Sequence, residues 1–194
     1  MEAGLAPTAV TYNTLIDGYC NKGDLKRAFS YKDEMIKKGV MPTVSTYNLL
    51  IHALLLEGTI GEADNLLKEM QEKGMLPDAI TYNILINGHC RAGNAKKAFS
   101  LHDEMFSKGI QPSRVTYTSL IHVLGKRNRM KEADDLYANI LRRGVLPDLI
   151  VFNVLIDGHC ANGNMERAFL LLEEMDKMKV TPDEVTYNTL IRGY

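Results

Sequence analysis

"VTYNTLIDGY" fills residues 10–19 and "VTYNTLIRGY" fills residues 185–194, the two differing only where Asp17 is replaced by Arg192. They stand 175 residues apart, which is five periods of 35, and a related segment sits at each intermediate step. Tyr12, Tyr47, Tyr82, Tyr117, Phe152 and Tyr187 are each followed three and four residues later by Leu-Ile, with no gap required. Other columns keep the same step: Pro7, Pro42, Pro77, Pro112, Pro147 and Pro182; Ala28, Ala63, Ala98, Ala133 and Ala168; Met35, Met70, Met105, Ile140 and Met175. Gly39, Gly74, Gly109 and Gly144 form a further column that Lys179 interrupts. A fixed period between 20 and 50 residues marks an array of stacked units rather than one continuous core.

A second order lies above the first. The three cysteines, Cys20, Cys90 and Cys160, are 70 residues apart, and "DGYC", "NGHC" and "DGHC" match each other better than the intervening "HALL" and "HVLG". Two repeat flavours alternate, which suggests that a pair of repeats was the unit of duplication.

Within a unit the pattern is helical. Tyr12, Leu15, Ile16, Tyr19 and Cys20 follow the i, i+3, i+4, i+7, i+8 spacing of one helix face. A Gly follows in most units (Gly23, Gly58, Gly93, Gly163, with Asn128 in the fourth), and then Asp24, Thr59, Asn94, Arg129 or Asn164. All but the arginine can cap a helix, and Thr59 with Glu62 has the spacing of a capping box. A second helix is predicted there, with Met165, Ala168, Phe169, Leu172 and Met175 on its buried side in the fifth unit. It should stop at a Gly suited to a left-handed residue, shortly before a Pro. Neither arm of such a hairpin can bury its apolar face alone, so successive hairpins stack.

Composition bounds the function. Hydrophobic residues make up 45% of the chain, and no run of 18 apolar residues occurs, so no membrane segment is expected. The net charge of −1, from 23 Lys+Arg against 24 Asp+Glu, provides no global basic field for nucleic acid. Stacking would hold consecutive cysteines too far apart to join, so they read as small buried residues in a reducing compartment. His89-Cys90 and His159-Cys160 offer metal-binding atoms, but they lie two repeats apart and do not converge, so no metal and no cofactor is expected. His102, Asp103 and Glu104 form a run on a second helix with no nucleophile spaced to meet it, which reads as a solvated face without catalysis.

The unit "VTYNTLIDGYCNKGDLKRAFSYKDEMIKKGVMPT" resembles the pentatricopeptide repeat in its 35-residue form, over essentially the whole chain. The tetratricopeptide repeat differs in its period of 34 and its Trp, which this chain lacks. The resemblance implies an all-α, right-handed solenoid of stacked antiparallel helix-turn-helix hairpins. Its repeats would occupy 9–43, 44–78, 79–113, 114–148 and 149–183. A preceding repeat's tail would lie at 1–8 and the first helix of a truncated sixth at 184–194, as in a fragment of a longer plant organellar protein acting in mitochondria or chloroplasts.

The resemblance also implies sequence-specific binding of single-stranded RNA, one base per repeat. The base-reading positions map to the pairs Asn13 with Thr43, Asn48 with Asp78, Asn83 with Ser113, Thr118 with Asp148, and Asn153 with Asp183, and to Asn188 alone. The family's code turns these into 5′-Y-U-C-G-U-Y-3′. Base-sandwiching positions map to Val10, Ser45, Ile80, Val115, Ile150 and Val185, where Ser45 departs from the aliphatic pattern. Phosphate-contacting positions map to Arg91 and Lys126, but fall on Asn21, Leu56 and Ala161 in the other units. A capping role for the recurrent Asn residues is the structural alternative. A protein- or peptide-binding scaffold is the functional one, and severed repeat faces would also permit end-to-end association.

Overall fold

The computed structural model describes residues 6–194, so the part of the expected tail at 1–5 lies outside the described residues. Among the described residues there are eleven helices and no strand: α1 (Ala9–Asn21), α2 (Leu25–Lys37), α3 (Val44–Leu56), α4 (Ile60–Glu72), α5 (Ala79–Arg91), α6 (Ala95–Ser107), α7 (Arg114–Lys126), α8 (Met130–Arg142), α9 (Leu149–Ala161), α10 (Met165–Lys177) and α11 (Glu184–Gly193). The chain divides into two compact units, Met1–Ala92 and Gly93–Tyr194. Among the described residues no helix is long and apolar enough to cross a membrane.

Local chemistry sets the helix ends. Asp24, Asn94 and Asn164 accept hydrogen bonds from the backbone N–H groups of Arg27, Lys97 and Arg167, capping three second helices as expected. Thr59 does not: its hydroxyl donates to the Leu54 carbonyl at 3.0 Å, satisfying an end of α3 instead of the start of α4, and no capping box with Glu62 forms. Where the glycine columns are broken, the backbone keeps its course. Asn128 and Lys179 take φ of 59° and 57°, the left-handed conformation that their glycine counterparts adopt without steric cost.

In the first unit α1 packs on α2 and α3, and α3 on α4 and α5; in the second, α7 packs on α8 and α9, and α9 on α10 and α11. The second helices stand farther apart. α2 reaches α4 through Lys32 and Glu69, 3.0 Å apart, and α8 reaches α10 through the Tyr137 hydroxyl, which donates to Glu174 at 2.9 Å. Each unit therefore has a close layer of first helices and a looser layer of second helices.

The Leu-Ile dipeptide shows the direction of stacking. Leu50, Leu85, Leu120 and Leu155 are fully buried, while Leu15 is 39% exposed. Ile16 through Ile156 are fully buried, while Ile191 is 74% exposed. Within each unit the Leu thus faces the helices before it and the Ile those after it, so Leu15 lacks cover ahead of α1 and Ile191 lacks it beyond α11. The Ala and Met columns are buried throughout. In α10 the buried set is Ala168, Leu171 and Met175, with Met165 and Leu172 partly covered. Phe169, predicted on that side, is 45% exposed. It stands where Asp134 stands one repeat earlier, the position that meets His159 of the following first helix; its counterpart there, Tyr194, lies beyond the last residue of α11.

Alternation of the two flavours has a steric basis. A Cβ at Gly88 would lie 2.6 Å from Leu55 Cδ1, and one at Gly158 would strike the Met130 sulfur, whereas one at Gly18, with no described hairpin before it, meets nothing within 4 Å. A bulky side chain from one repeat fills the space left by a glycine in the next. His89 and His159, from the same four-residue words, lie buried, each with Nε2 3.1 Å from an aspartate of the preceding second helix, Asp64 and Asp134. His102 is half-buried beside the Tyr117 ring, centroids 5.9 Å apart, so only Asp103 of that pair is on a solvated face. The three cysteines are free, with Cys90 and Cys160 buried and Cys20 only half-buried. Burial pushes the Cys90 thiol up to about 12 and, helped by Asp17, that of Cys20 to about 11, so both stay protonated at neutral pH.

Glu69 of α4 joins three helices, through Lys32 of α2, Tyr47 of α3 and Lys73 at its own helix end. Burial works to raise its carboxyl, but hydrogen bonds from Lys73, Lys32 and the Tyr47 hydroxyl outweigh it and bring the group down to about 2. Stability from a depressed carboxyl is present above its unfolded value and is lost as pH falls from there through the folded value. Denaturation midpoints of the native chain and Glu69→Gln should therefore differ most near neutrality and converge as pH falls from about 4.5 toward about 2. Parallel pH profiles for the two proteins would contradict this.

Candidate nucleic-acid interface

The predicted reader pairs meet at the starts of successive first helices. In the first unit Asn13 Nδ2 donates to Thr43 Oγ1 at 3.4 Å, and Asn48 Nδ2 donates to Asp78 Oδ1 at 3.3 Å. In the second unit Asn153 Nδ2 donates to Asp183 Oδ1 at 3.2 Å. The second member of each pair is also the N-cap of the following first helix: Asp78 and Asp183 accept from the backbone N–H of Thr81 and Thr186 at 2.8 and 2.9 Å.

A threonine three residues on completes each cluster. The hydroxyls of Thr46, Thr81 and Thr186 donate to Oδ1 of Asn13, Asn48 and Asn153 at 2.7, 2.7 and 2.6 Å, and they accept from the backbone N–H of Thr43, Asp78 and Asp183. Every reader Asn in these three slots is thus held in one orientation by its neighbour's cap. In these three slots the Asn bonds to the capping side chain of the next first helix and caps no backbone N–H itself. Asn48 is buried, 7% exposed, while Asn13 and Asn153 are partly open.

Electrostatics keep the carboxylates as acceptors. Burial would raise the Asp78 carboxyl, but the Thr81 backbone N–H, the Thr81 hydroxyl and Asn48 hold it below its ordinary value. For Asp183 the Thr186 backbone N–H lowers the carboxyl most, against some burial, with further help from the Thr186 hydroxyl and Asn153. Both are ionised at neutral pH and can only accept.

The sandwiching positions form an exposed aliphatic series. Val10 is 73% exposed, and Ile80, Val115, Ile150 and Val185 are 56–59% exposed, each one position inside its first helix; Ser45 is exposed but polar. In the first unit a depression of about 270 Å³ is lined by Asn13, Ser45, Asn48, His52 and Ile80. In the second, a groove of about 870 Å³ is lined by Ile150, Asn153, Val185 and Asn188, with Lys126 at one side. Each concavity gathers residues predicted to read and to sandwich bases from neighbouring repeats.

The fourth repeat is built otherwise. Thr118 turns its hydroxyl onto the Arg114 carbonyl at 2.9 Å, and Asp148 accepts from the Val151 N–H at 3.1 Å and pairs with Arg114 Nε at 3.0 Å. Asn83 and Ser113 lie on α5 and at the cap of α7. Arg91 and Lys126 are exposed at the ends of α5 and α7.

A family model described as the PPR repeat family matches residues 7–55, 42–91, 77–126, 113–160 and 147–194. The chain belongs to the PPR repeat family. Among solved structures, maize PPR10 is 30% identical with a TM-score of 0.69, covering 97% of this chain and 27% of its own. PPR10 in complex with an 18-nt psaJ RNA element is 25% identical with a TM-score of 0.77, covering 95% of this chain and 27% of its own. The PPR domain of Arabidopsis thaliana protein-only RNase P 1, in complex with tRNA, is 18% identical with a TM-score of 0.79, covering 95% of this chain and 97% of its own. The chain spans about a quarter of the length of PPR10. These likenesses give it the helical-hairpin solenoid fold. Comparison with curated proteins finds no match.

Two features of this PPR interface escaped the sequence reading. The bridging threonines were visible as Thr43-x-x-Thr46, Asp78-x-x-Thr81 and Asp183-x-x-Thr186, a cap pattern repeated at the period. The other is a column one turn farther along each first helix, of which His122, Asp157 and Arg192 line the second unit's groove. Arg192 is paired with Asp157 at 2.7 Å, and burial together with Lys126 holds the His122 imidazole below its ordinary value despite Asp157, so it is neutral at pH 7. Lys126 stands exposed at one side of that groove.

Proposed function

We propose that this PPR chain binds single-stranded RNA without catalysis, taking one base per repeat in the order 5′-Y-U-C-G-U-Y-3′. The observation that carries the reading is the convergence of Asn13 with Thr43, Asn48 with Asp78, and Asn153 with Asp183 at 3.2–3.4 Å beside a series of exposed aliphatic side chains. PPR10, with the same fold, is known in complex with RNA.

The chemistry of the pairs supports the order. An ionised aspartate only accepts, so it selects a base with an imino N–H, uracil or guanine, over cytosine or adenine, whose ring nitrogen at that place is an acceptor. Ser113 has a hydroxyl that can donate to the cytosine acceptor. An Asn fills more of its slot than the smaller Thr118 and favours a pyrimidine, while Thr118 leaves room for a purine. The aliphatic series offers flat apolar surface above and below each base, and Arg91 and Lys126 offer charge for phosphates. Action in mitochondria or chloroplasts, on transcript processing, stability or translation, is the role the family suggests for such binding.

With five or six slots and few phosphate contacts, affinity should be about micromolar or weaker once association costs are met. Fluorescence titration with short RNAs containing UCGU should give tighter binding than the same bases scrambled. Equal affinity for both would refute the reading, and a nanomolar Kd at physiological salt would refute the magnitude.

A further inference from the structure

Arg114 opens α7, where the other first helices open with Ala9, Val44, Ala79, Leu149 and Glu184, none of which can donate from a side chain. Its Nε lies 3.0 Å from Asp148 Oδ2, with the arginine side chain 56% and the aspartate 28% exposed. In the Asn-Asp slots a threonine hydroxyl and an asparagine amide hold the cluster. Here α9 has Val151 at the threonine place and Thr118 faces its own helix backbone, so the guanidinium replaces both.

We infer that Arg114 is a specificity-determining residue of the fourth slot, reading guanine jointly with Asp148. This rests on the RNA reading proposed above. A guanidinium has five N–H donors in a fixed fork, and the contact with Asp148 is made at Nε. The pair presents a donor next to an acceptor. Guanine offers the complement, the O6 acceptor next to the N1–H donor; adenine and cytosine offer the reverse order, an amino donor next to a ring acceptor. Uracil shares guanine's order, but the small Thr118 leaves the slot wide, and a pyrimidine would not reach across it.

The test is a titration of the native chain, Arg114→Lys and Arg114→Gln with four RNAs, 5′-UCNU-3′ in a fixed context with each base at N. The native chain should prefer G over A by about tenfold or more, the scale of one two-pronged arginine contact to guanine. Arg114→Lys keeps the charge and loses the fork, so it should bind the set within about threefold of the native average while its G-to-A ratio falls below the native one, to the smaller ratio that Asp148 gives alone. Arg114→Gln should lower the ratio likewise. If Arg114→Lys keeps the native G-to-A ratio, or if both variants weaken all four RNAs equally, Arg114 is a charge for the backbone and the inference is overturned while RNA reading stands. If the native chain binds all four RNAs and a scrambled control alike, the RNA reading fails and takes the inference with it.

Discussion

Leu120→Ala is expected to lower the free energy of unfolding by about 2–5 kcal/mol, the usual cost of emptying a filled core site, whereas Leu15→Ala should cost less than about 1 kcal/mol. The two residues occupy the same column and differ in one respect: Leu120 is fully buried and Leu15 is 39% exposed. The Leu column packs backward, and no described hairpin precedes α1. The Ile column provides the mirror experiment, because Ile121 is fully buried and Ile191 is 74% exposed. Ile121→Ala should therefore be costly and Ile191→Ala nearly silent. Denaturant midpoints of the four variants measure this directly. Equal losses at both ends of either column would mean that stacking direction does not govern the stability of these hairpins.

The periodic columns made the helices, their pairing and most of the core legible in the sequence, because residues 35 apart that must fill equivalent places keep the same type. The departures share a cause. Thr59 had two hydrogen-bond partners within reach, the N–H donors of its own helix start and the carbonyl acceptor of Leu54, and only the folded turn decides between them. Phe169 and Leu171 both suit a helix face by type, and only the packed structure shows that Leu171 is the covered one while Phe169 is 45% exposed. At the interface, the sequence indicated which residues would share a slot, and Asn153 with Asp183 meet as the period demands. It did not show that the second reader is also a helix cap, since that follows from where the chain leaves its extended segment after Pro182. The Arg114–Asp148 pair was equally hidden, being a contact 34 residues apart, off the repeat step, made by an arginine that appears once in its column.

Thr118→Asn carries the second large effect. In its slot Asp148 already accepts from the Val151 N–H, as Asp78 and Asp183 accept from their own third residues. An asparagine at 118 restores the amide that Asn48 and Asn153 supply to their aspartates at 3.3 and 3.2 Å. It also removes the room for a purine. Preference at that base should move from guanine to uracil, and a single mismatched base costs about 1–3 kcal/mol where it is read by hydrogen bonds, so the ratio of affinities for the two RNAs should swing by about tenfold or more.

The decisive measurement is therefore a paired titration of the native chain and Thr118→Asn against RNAs with UCGU and UCUU at the matching position. The native chain should bind the first more tightly and Thr118→Asn the second, with the other slots unaffected. If both proteins rank the two RNAs in the same order, the side chains gathered at the helix starts do not choose the base.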